Sequence, residues 1–373
     1  MARLDEICLL NMGQSPDSSS YNEVGEGIPF FQGNADFGKI NPKVRVWCNE
    51  PTKIDHAGDI LISVRAPIGA LNIADKECCI GRGLAALTVK ENLCTKKYLW
   101  YAIKSKVGEL NSKGTGSTFK AISKNVLAET EIPMYSLNEQ NNIADNLEKV
   151  DELISCRKEQ LAKLDELVKS RFIELFGDVT SNPNGYPIKN FEEISVLITD
   201  GEHATPRRTE EGIYLLSARN VLNHALQLED VDYIDEEEYS RIARRVIPQA
   251  GDVLISCSGS IGRCCIVPNG LRFQMVRSAA LIRFDNTINP VFAEWLITSD
   301  DLQQQIAQSA TQSSQANLFQ GKIRKLHGYV PPIELQEQFA AFVEQTDKSK
   351  LAFQQSLEKL ETLKRSLMQK YFG

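Results

Sequence analysis

The side chains with chemistry to offer in this chain are arginines, lysines and small polar groups gathered in loops. What they offer is hydrogen bonding to anions and to base edges. Gly201-Glu202-His203-Ala204-Thr205-Pro206-Arg207-Arg208 holds one His and two Arg, and a guanidinium pairs in a two-pronged way with guanine O6/N7 or with phosphate. Ser217-Ala218-Arg219-Asn220 places a guanine reader beside an adenine reader. Arg65 and Arg263 flank two Ile-Gly turns. A first polar loop carries Lys113, Ser117, Thr118, Lys120 and Lys124; a second carries Gln312, Ser313, Ser314, Gln315, Asn317 and Lys322. Small polar side chains with basic flanks suit groove reading combined with phosphate contacts. Arg241, Arg244 and Arg245 read equally well as a phosphate patch or as a solvated helix face.

No catalytic set accompanies these groups. The four histidines (His56, His203, His224, His327) fit neither a triad nor H-E-x-x-H. There is no G-x-x-x-x-G-K-[ST] phosphate loop, and no N-P-P-[FYW] or D-P-P-[FYW] adenine-methylation motif. Gly114-Thr115-Gly116-Ser117 is glycine-rich but lacks a phosphate-binding helix after it. The nine cysteines form no C-x-x-C and no metal-ligand spacing, so no metal site is expected. Pairs such as Cys78-Cys79 and Cys264-Cys265 read as small buried apolar residues of strands. The expectation is a chain that binds rather than catalyses and holds no cofactor of its own.

Composition leaves room for nucleic acid without demanding it. The net charge is −7, with 42% hydrophobic and 24% charged residues, but the acids concentrate in the helical stretches and in Glu229–Glu238, so a locally basic face is compatible with the total. No apolar run reaches the ~18 residues of a membrane span, and the N-terminal residues have no signal-peptide core. A cytoplasmic protein is expected.

Two elements must position the loops. From Glu139 to Phe176 apolar residues recur at Ile143, Leu147, Val150, Ile154, Leu161, Leu164 and Val168. Steps of three, four and seven make one helical stripe close to a heptad seam, on a helix about 57 Å long at ~1.5 Å per residue. Its partner is the C-terminal stretch from Glu337 to Phe372, with Phe339, Phe342, Phe353, Leu357, Leu360, Leu363 and Leu367. Ser136 and Glu139 form a capping-box pattern; Glu334 at the second start is a poorer cap, so the first helix is expected to begin more firmly.

The chain also repeats itself. Gly58-Asp59-Ile60-Leu61-Ile62-Ser63 matches Gly251-Asp252-Val253-Leu254-Ile255-Ser256, and Ile68-Gly69 matches Ile261-Gly262 at the same separation. Leu137-x-Glu139-Gln140 aligns with Leu335-x-Glu337-Gln338. Further strands are expected at Ala85–Lys90 and Ser278–Phe284, and helices at Lys96–Val107 and Pro290–Ile306. The fold class is α+β: two similar mixed α/β domains, residues 1–136 and 188–334, joined by two long antiparallel helices, 137–176 and 335–373, with a turn-rich linker at 177–187.

These motifs, in this order, resemble the specificity subunit of type I restriction-modification systems: GQSP from Gly13, GIPFFQG from Gly27, GDILISVRAPIG from Gly58 and IPMYSLNEQNNIA from Ile132, then GIYLLSARNV from Gly212, GDVLISCSGSIG from Gly251 and VPPIELQEQFA from Val330. The resemblance implies that each domain is a target-recognition domain reading one half of an asymmetric bipartite duplex DNA site, with the helices as a coiled-coil spacer. It implies two methyltransferase subunits docked on this chain and restriction (translocase-nuclease) subunits joining them. S-adenosylmethionine, and ATP and Mg for restriction, would be used by those partners. A solitary or methylation-only specificity protein, or a scaffold that binds protein alone, are the competing readings.

Overall fold

The computed structural model describes residues 1–116, 120–309 and 317–373. They divide into two compact units: Met1–Glu159 with Gln354–Gly373, and Gln160–Phe353.

Unit 1 is built on four antiparallel strands, β1 (Cys8–Met12), β2 (Ile60–Ser63), β3 (Leu71–Ile73) and β4 (Leu84–Val89), in the order β1-β4-β2-β3. Central β4 reads as a continuous apolar run because both its faces are covered. Ala85 and Leu87 pack with Tyr98, Leu99 and Ala102 of α1 (Lys96–Ser112), while Leu84 and Ala86 pack with Phe31 and Ile80. Those last two belong to a second sheet in which Phe30-Phe31 runs parallel to Cys79-Ile80. The first turns of the long helix α2 (Leu137–Phe176) close the core.

Unit 2 repeats the plan. Strands β5 (Ser195–Asp200), β6 (Val253–Ser256), β7 (Cys264–Ile266) and β8 (Ala279–Phe284) take the order β5-β8-β6-β7. Ala280 and Ile282 face α3 (Pro290–Ile297), and Ala279 and Leu281 face a small sheet in which Tyr214–Leu216 runs parallel to Phe273–Met275. The single helix expected over Pro290–Ile306 is two, Pro290–Ile297 and Asp300–Ser309. Ser299 divides them as an N-cap, its hydroxyl accepting from the Leu302 N–H at 3.5 Å.

The C-terminal helix α4 spans Ile333–Phe372, 40 residues like α2. In α2 the capping box forms, with Ser136 N–H donating to Glu139 Oε2 at 3.0 Å and Glu139 N–H to Ser136 Oγ at 3.4 Å. α4 follows Pro331-Pro332 and carries Glu334 in its first turn. Each start is pinned by a fully buried glutamine. Gln140 accepts from Thr95 N–H at 2.9 Å and donates to Leu93 and Tyr135 carbonyls at 3.0 and 2.9 Å. Gln336 accepts from Asn289 N–H at 2.8 Å and donates to Thr287 and Pro331 carbonyls at 3.0 and 2.8 Å. The structural partner of Leu137-x-Glu139-Gln140 is therefore Ile333-x-Leu335-Gln336, two residues ahead of the sequence alignment; Gln338 is exposed.

Within each unit the two long helices run antiparallel. In unit 1 Tyr135 Oη donates to the Tyr371 carbonyl at 3.2 Å, and Lys364 and Lys158 pair with Asp151 and Glu361 at 2.5 and 3.1 Å. In unit 2 Asp165 pairs with Lys350 at 2.7 Å, and the Phe172 and Phe339 rings meet at 5.3 Å. Of the expected seam, Ile143, Leu147, Val150, Ile154, Val168, Phe339 and Leu357 are buried, and Leu161, Leu164, Phe342, Phe353, Leu360 and Leu367 are half-buried. Leu363 is the correction: it is 46% exposed, because the step of four from Leu360 that continues the stripe falls on Lys364, whose ammonium meets Asp151 instead. The helix ends are also core. Phe172 and Phe176 of α2 and Phe339 of α4 share one ring cluster with Phe292 of α3. Eight cysteines are buried, the two adjacent pairs among them, and Cys156 on α2 is exposed.

Candidate nucleic-acid interface

The recurring I-L-I-S and V-L-I-S strands end on a serine that folds the turn after it. Ser63 Oγ donates to the Pro67 carbonyl at 2.6 Å and accepts from Ala70 N–H at 2.9 Å; Ser256 Oγ donates to Ser260 at 2.6 Å and accepts from Arg263 N–H at 3.0 Å. The turn closes on a glycine in the left-handed region, Gly69 at φ 90° and Gly262 at φ 84°.

Around this turn, backbone hydrogen bonds tie several loops into one surface. In unit 1 Gly13 N–H reaches Leu84, Gln14 reaches Ile80, Gly83 reaches Gln32, Val64 reaches Gly83, Ile122 reaches Val64 and Ala66 reaches Lys120, all at 2.9–3.2 Å. In unit 2 Gly201 reaches Ala279, Glu202 reaches Met275, Arg277 reaches Glu202, Cys257 reaches Ser278 and Leu318 reaches Cys257, at 2.7–3.0 Å. Gly13 and Gly201 are the tight points. A Cβ on Gly13 would sit 2.2 Å from the Gly81 carbonyl oxygen, and one on Gly201 would sit 2.4 Å from that of Met275. Gly13→Ala is therefore expected to cost more than about 2 kcal/mol, read as a lowered denaturation midpoint.

The network brings together Arg65 and Lys120, both exposed and both without an ion pair among the described residues, at the bridge between Arg65 and Ala121. Its counterpart is the bridge between Ser258 and Asn317. Lys113 is held by Glu109 at 2.6 Å. Lys124 opens the helix Lys124–Ala128, capped by Ser123, and Lys322 lies exposed on the helix Gln320–Ile323. Arg263 is half-buried in its turn. Ser117, Thr118, Gln312, Ser313, Ser314 and Gln315 fall outside the described residues.

The basic loop of unit 2 is more engaged than its sequence implies. Arg207 pairs with Asp235 and Glu237 at 2.8 and 2.9 Å, Arg208 with Asp232 at 3.0 Å and Arg219 with Asp232 at 3.1 Å. His203 meets Asp200 at 2.9 Å, and Arg241 meets Glu238 at 2.8 Å. Arg245 also pairs with Asp200. Exposed pairs of this kind hold little free energy, about 0–1 kcal/mol, so they orient the arginines yet release them to a competing phosphate. Asn220 is different: only 1% exposed, it spends its amide on the Gln227 and Asp230 carbonyls at 3.0 and 2.9 Å and its carbonyl on Ser217 N–H. It shapes the loop and has no edge left for a base.

Two arginines escaped the sequence reading. Arg82 and Arg277 precede β4 and β8 at equivalent places on the network, exposed and without an ion pair among the described residues. The signal was the repeat itself, Arg82-Gly83-Leu84-Ala85-Ala86 against Arg277-Ser278-Ala279-Ala280-Leu281.

Beneath the surface the units solve one electrostatic problem differently. Asp59 and Asp252, of the shared Gly-Asp turn, are 3% and 2% exposed. Asp252 receives a two-pronged Arg283, both contacts at 2.7 Å. Asp59 receives only the Thr88 hydroxyl at 2.7 Å, and lies against a second buried acid, Asp55. Burial first, and the neighbouring Asp59 charge second, raise the Asp55 carboxyl to about 7.

Among the described residues no cluster of three or more His, Cys, Asp or Glu is arranged to hold a metal ion, and no helix is long and apolar enough to cross a membrane.

Residues 1–166 match the family model described as the type I restriction modification DNA specificity domain. A Methanocaldococcus jannaschii protein provisionally named as the type I restriction enzyme MjaX specificity subunit is 42% identical over 158 residues, 42% of this chain and 37% of that relative; the match thus spans well under half of its length. The EcoBI specificity subunit of Escherichia coli is 20% identical across 99% of this chain and 84% of its own length. The crystal structure of the type I restriction-modification S subunit from M. genitalium shares the fold, with a TM-score of 0.62 at 19% identity, covering 100% of this chain and 95% of that one. The first 166 residues are thus similar to the type I restriction-modification DNA specificity domain, and the four-stranded sheet of that domain recurs in the second unit with the same strand order.

Proposed function

We propose that this chain is the DNA-recognition subunit of a type I restriction-modification complex, each unit reading one half of an asymmetric, bipartite duplex site. The observation that carries this reading is one loop framework built twice with different side chains on it. Arg65 stands where unit 2 has Ser258, and Ala121 where it has Asn317. A shared scaffold with unlike donors and acceptors is what two different half-sites require. The long helices set the separation of the readers and dock two methyltransferase subunits, with restriction subunits joining that core. Adenine-N6 methylation with S-adenosylmethionine, and cleavage with ATP and Mg, belong to those partners; this chain contributes no catalytic group and works in the cytoplasm.

The test is selection from a randomised duplex pool by the full chain with its methyltransferase subunit. Two half-sites at a fixed spacing are expected; a pool that emerges unenriched defeats the reading. A sharper check lengthens both helices where they belong to neither reader's core, between Ile154 and Val168 and between Val343 and Leu357. Inserting seven residues in each is expected to lengthen the selected spacer and leave the half-site letters unchanged, because B-DNA turns once per ~34 Å and the readers must meet compatible grooves.

A further inference from the structure

Arg82 and Arg277 are the same charged side chain at equivalent places on this surface, amid neighbours that diverge. Their equivalence is geometric. Each follows the strand that carries the Gln14 or Glu202 contact, and each precedes the strand reached by Gly13 or Gly201. The neighbours differ at several places: Ser15 stands where unit 2 has His203, Gln32 where it has Ser217, Arg65 where it has Ser258 and Ala121 where it has Asn317. A side chain kept identical amid unlike readers cannot be selecting the bases on which the readers differ.

Charge points the same way. In unit 2 the acids near this loop are already matched: Asp200 by His203 and Arg245, Glu202 by Arg241, and Asp232 by Arg208 and Arg219. Arg277 is left exposed with no acidic partner among the described residues, and so is Arg82. Their backbones are fixed: Arg82 N–H donates to Ser15 Oγ at 3.3 Å and Arg277 N–H to the Glu202 carbonyl at 3.0 Å. A planar fork with five donors, held at its root and unopposed at its tip, matches a phosphate.

Building on the DNA-recognition reading above, we propose that Arg82 and Arg277 are paired phosphate anchors, one per reader. They grip the DNA backbone beside each half-site and hold all duplexes alike, while the residues that differ around them choose the bases.

The experiment uses the full chain with its methyltransferase subunit and two duplexes: the one enriched from the random pool by the wild type, and a scrambled version of it. R82A, R277A, the double variant and the R82K/R277K pair are titrated with both duplexes across a range of NaCl, with thermal melting to confirm folding. Each alanine substitution is expected to weaken both duplexes by a similar factor, roughly 3- to 10-fold, and to reduce the slope of log Kd against log salt by about one. The lysine pair is expected to recover most of the loss. A loss confined to the enriched duplex makes the arginines base readers and overturns the proposal. So does an unchanged affinity for both duplexes, with the DNA-recognition reading still standing. A wild-type complex that enriches no sequence removes that reading and this one together.

Discussion

Replacing Asp55 with asparagine should make unit 1 more stable at pH 8 than the unchanged chain, and leave the two equal near pH 4. The carboxyl is 2% exposed, with Oδ2 lacking any hydrogen-bond partner, and its folded-state value is raised from 3.8 to about 7. Below the unfolded value both states carry the proton and nothing is lost. As pH rises from about 4 to 7 the unfolded chain ionises while the folded one resists, so stability falls through that window and stays low above it. The neighbouring Asp59 charge adds to the burial that resists ionisation, so the gap between the two chains is expected to widen through this window. Asparagine cannot ionise, and its amide can donate to Asp59. Denaturant unfolding of the full chain at intervals from pH 4.5 to 8.5 measures the difference; a gap that does not widen with pH overturns the prediction. Unit 2 supplies its own contrast, since Asp252, the counterpart of Asp59, is neutralised by Arg283.

Gln336→Ala should destabilise unit 2 by about 2–4 kcal/mol. The substitution strands the Asn289 N–H and the Thr287 and Pro331 carbonyls in a site where the glutamine is 0% exposed. Each buried polar group left unpaired costs about 1–3 kcal/mol, partly recovered where water enters. Gln140→Ala should do the same to unit 1. Gln338→Ala, at the position that sequence comparison had paired with Gln140, should change stability by less than about 0.5 kcal/mol. Thermal melts of the three variants check both the magnitude and the register; equal losses at Gln336 and Gln338 would contradict the structure.

That two-residue slip shows what the sequence could and could not convey. The long helices were legible because their stripe is local and periodic. The Gly-Asp strands and their turns were legible because they are written twice. The register at the second helix start was not, because the two helices begin with unlike chemistry. Ser136 and Glu139 close a capping box, whereas Pro331-Pro332 simply ends the preceding strand. The matching feature is a buried glutamine whose partners lie on distant elements, and long-range hydrogen bonds leave no periodicity. The same reason governs the arginines. Arg207, Arg208 and Arg219 read as candidate DNA contacts, yet their acids, Asp232, Asp235 and Glu237, come from the acidic stretch Glu229–Glu238, whose concentration had left room for a basic face elsewhere. Arg82 and Arg277 sit alone in sequence, and only the shared loop framework reveals them as a pair.

The cysteine distribution turns the native chain into its own stopwatch. Cys156 is the single thiol open to a reagent, so one dye molecule marks α2 without any substitution. The rest are shut away in two groups, Cys8, Cys48, Cys78, Cys79 and Cys94 in unit 1 and Cys257, Cys264 and Cys265 in unit 2. Burial raises Cys8, Cys78, Cys94, Cys257 and Cys265 to about 12 and pushes Cys264 up as well, so they react only after their surroundings open. Mass spectrometry of a timed alkylation would therefore record the opening of each unit separately, one by gains of five and the other by gains of three. Run with and without a candidate duplex, it would tell which unit, if either, a duplex protects.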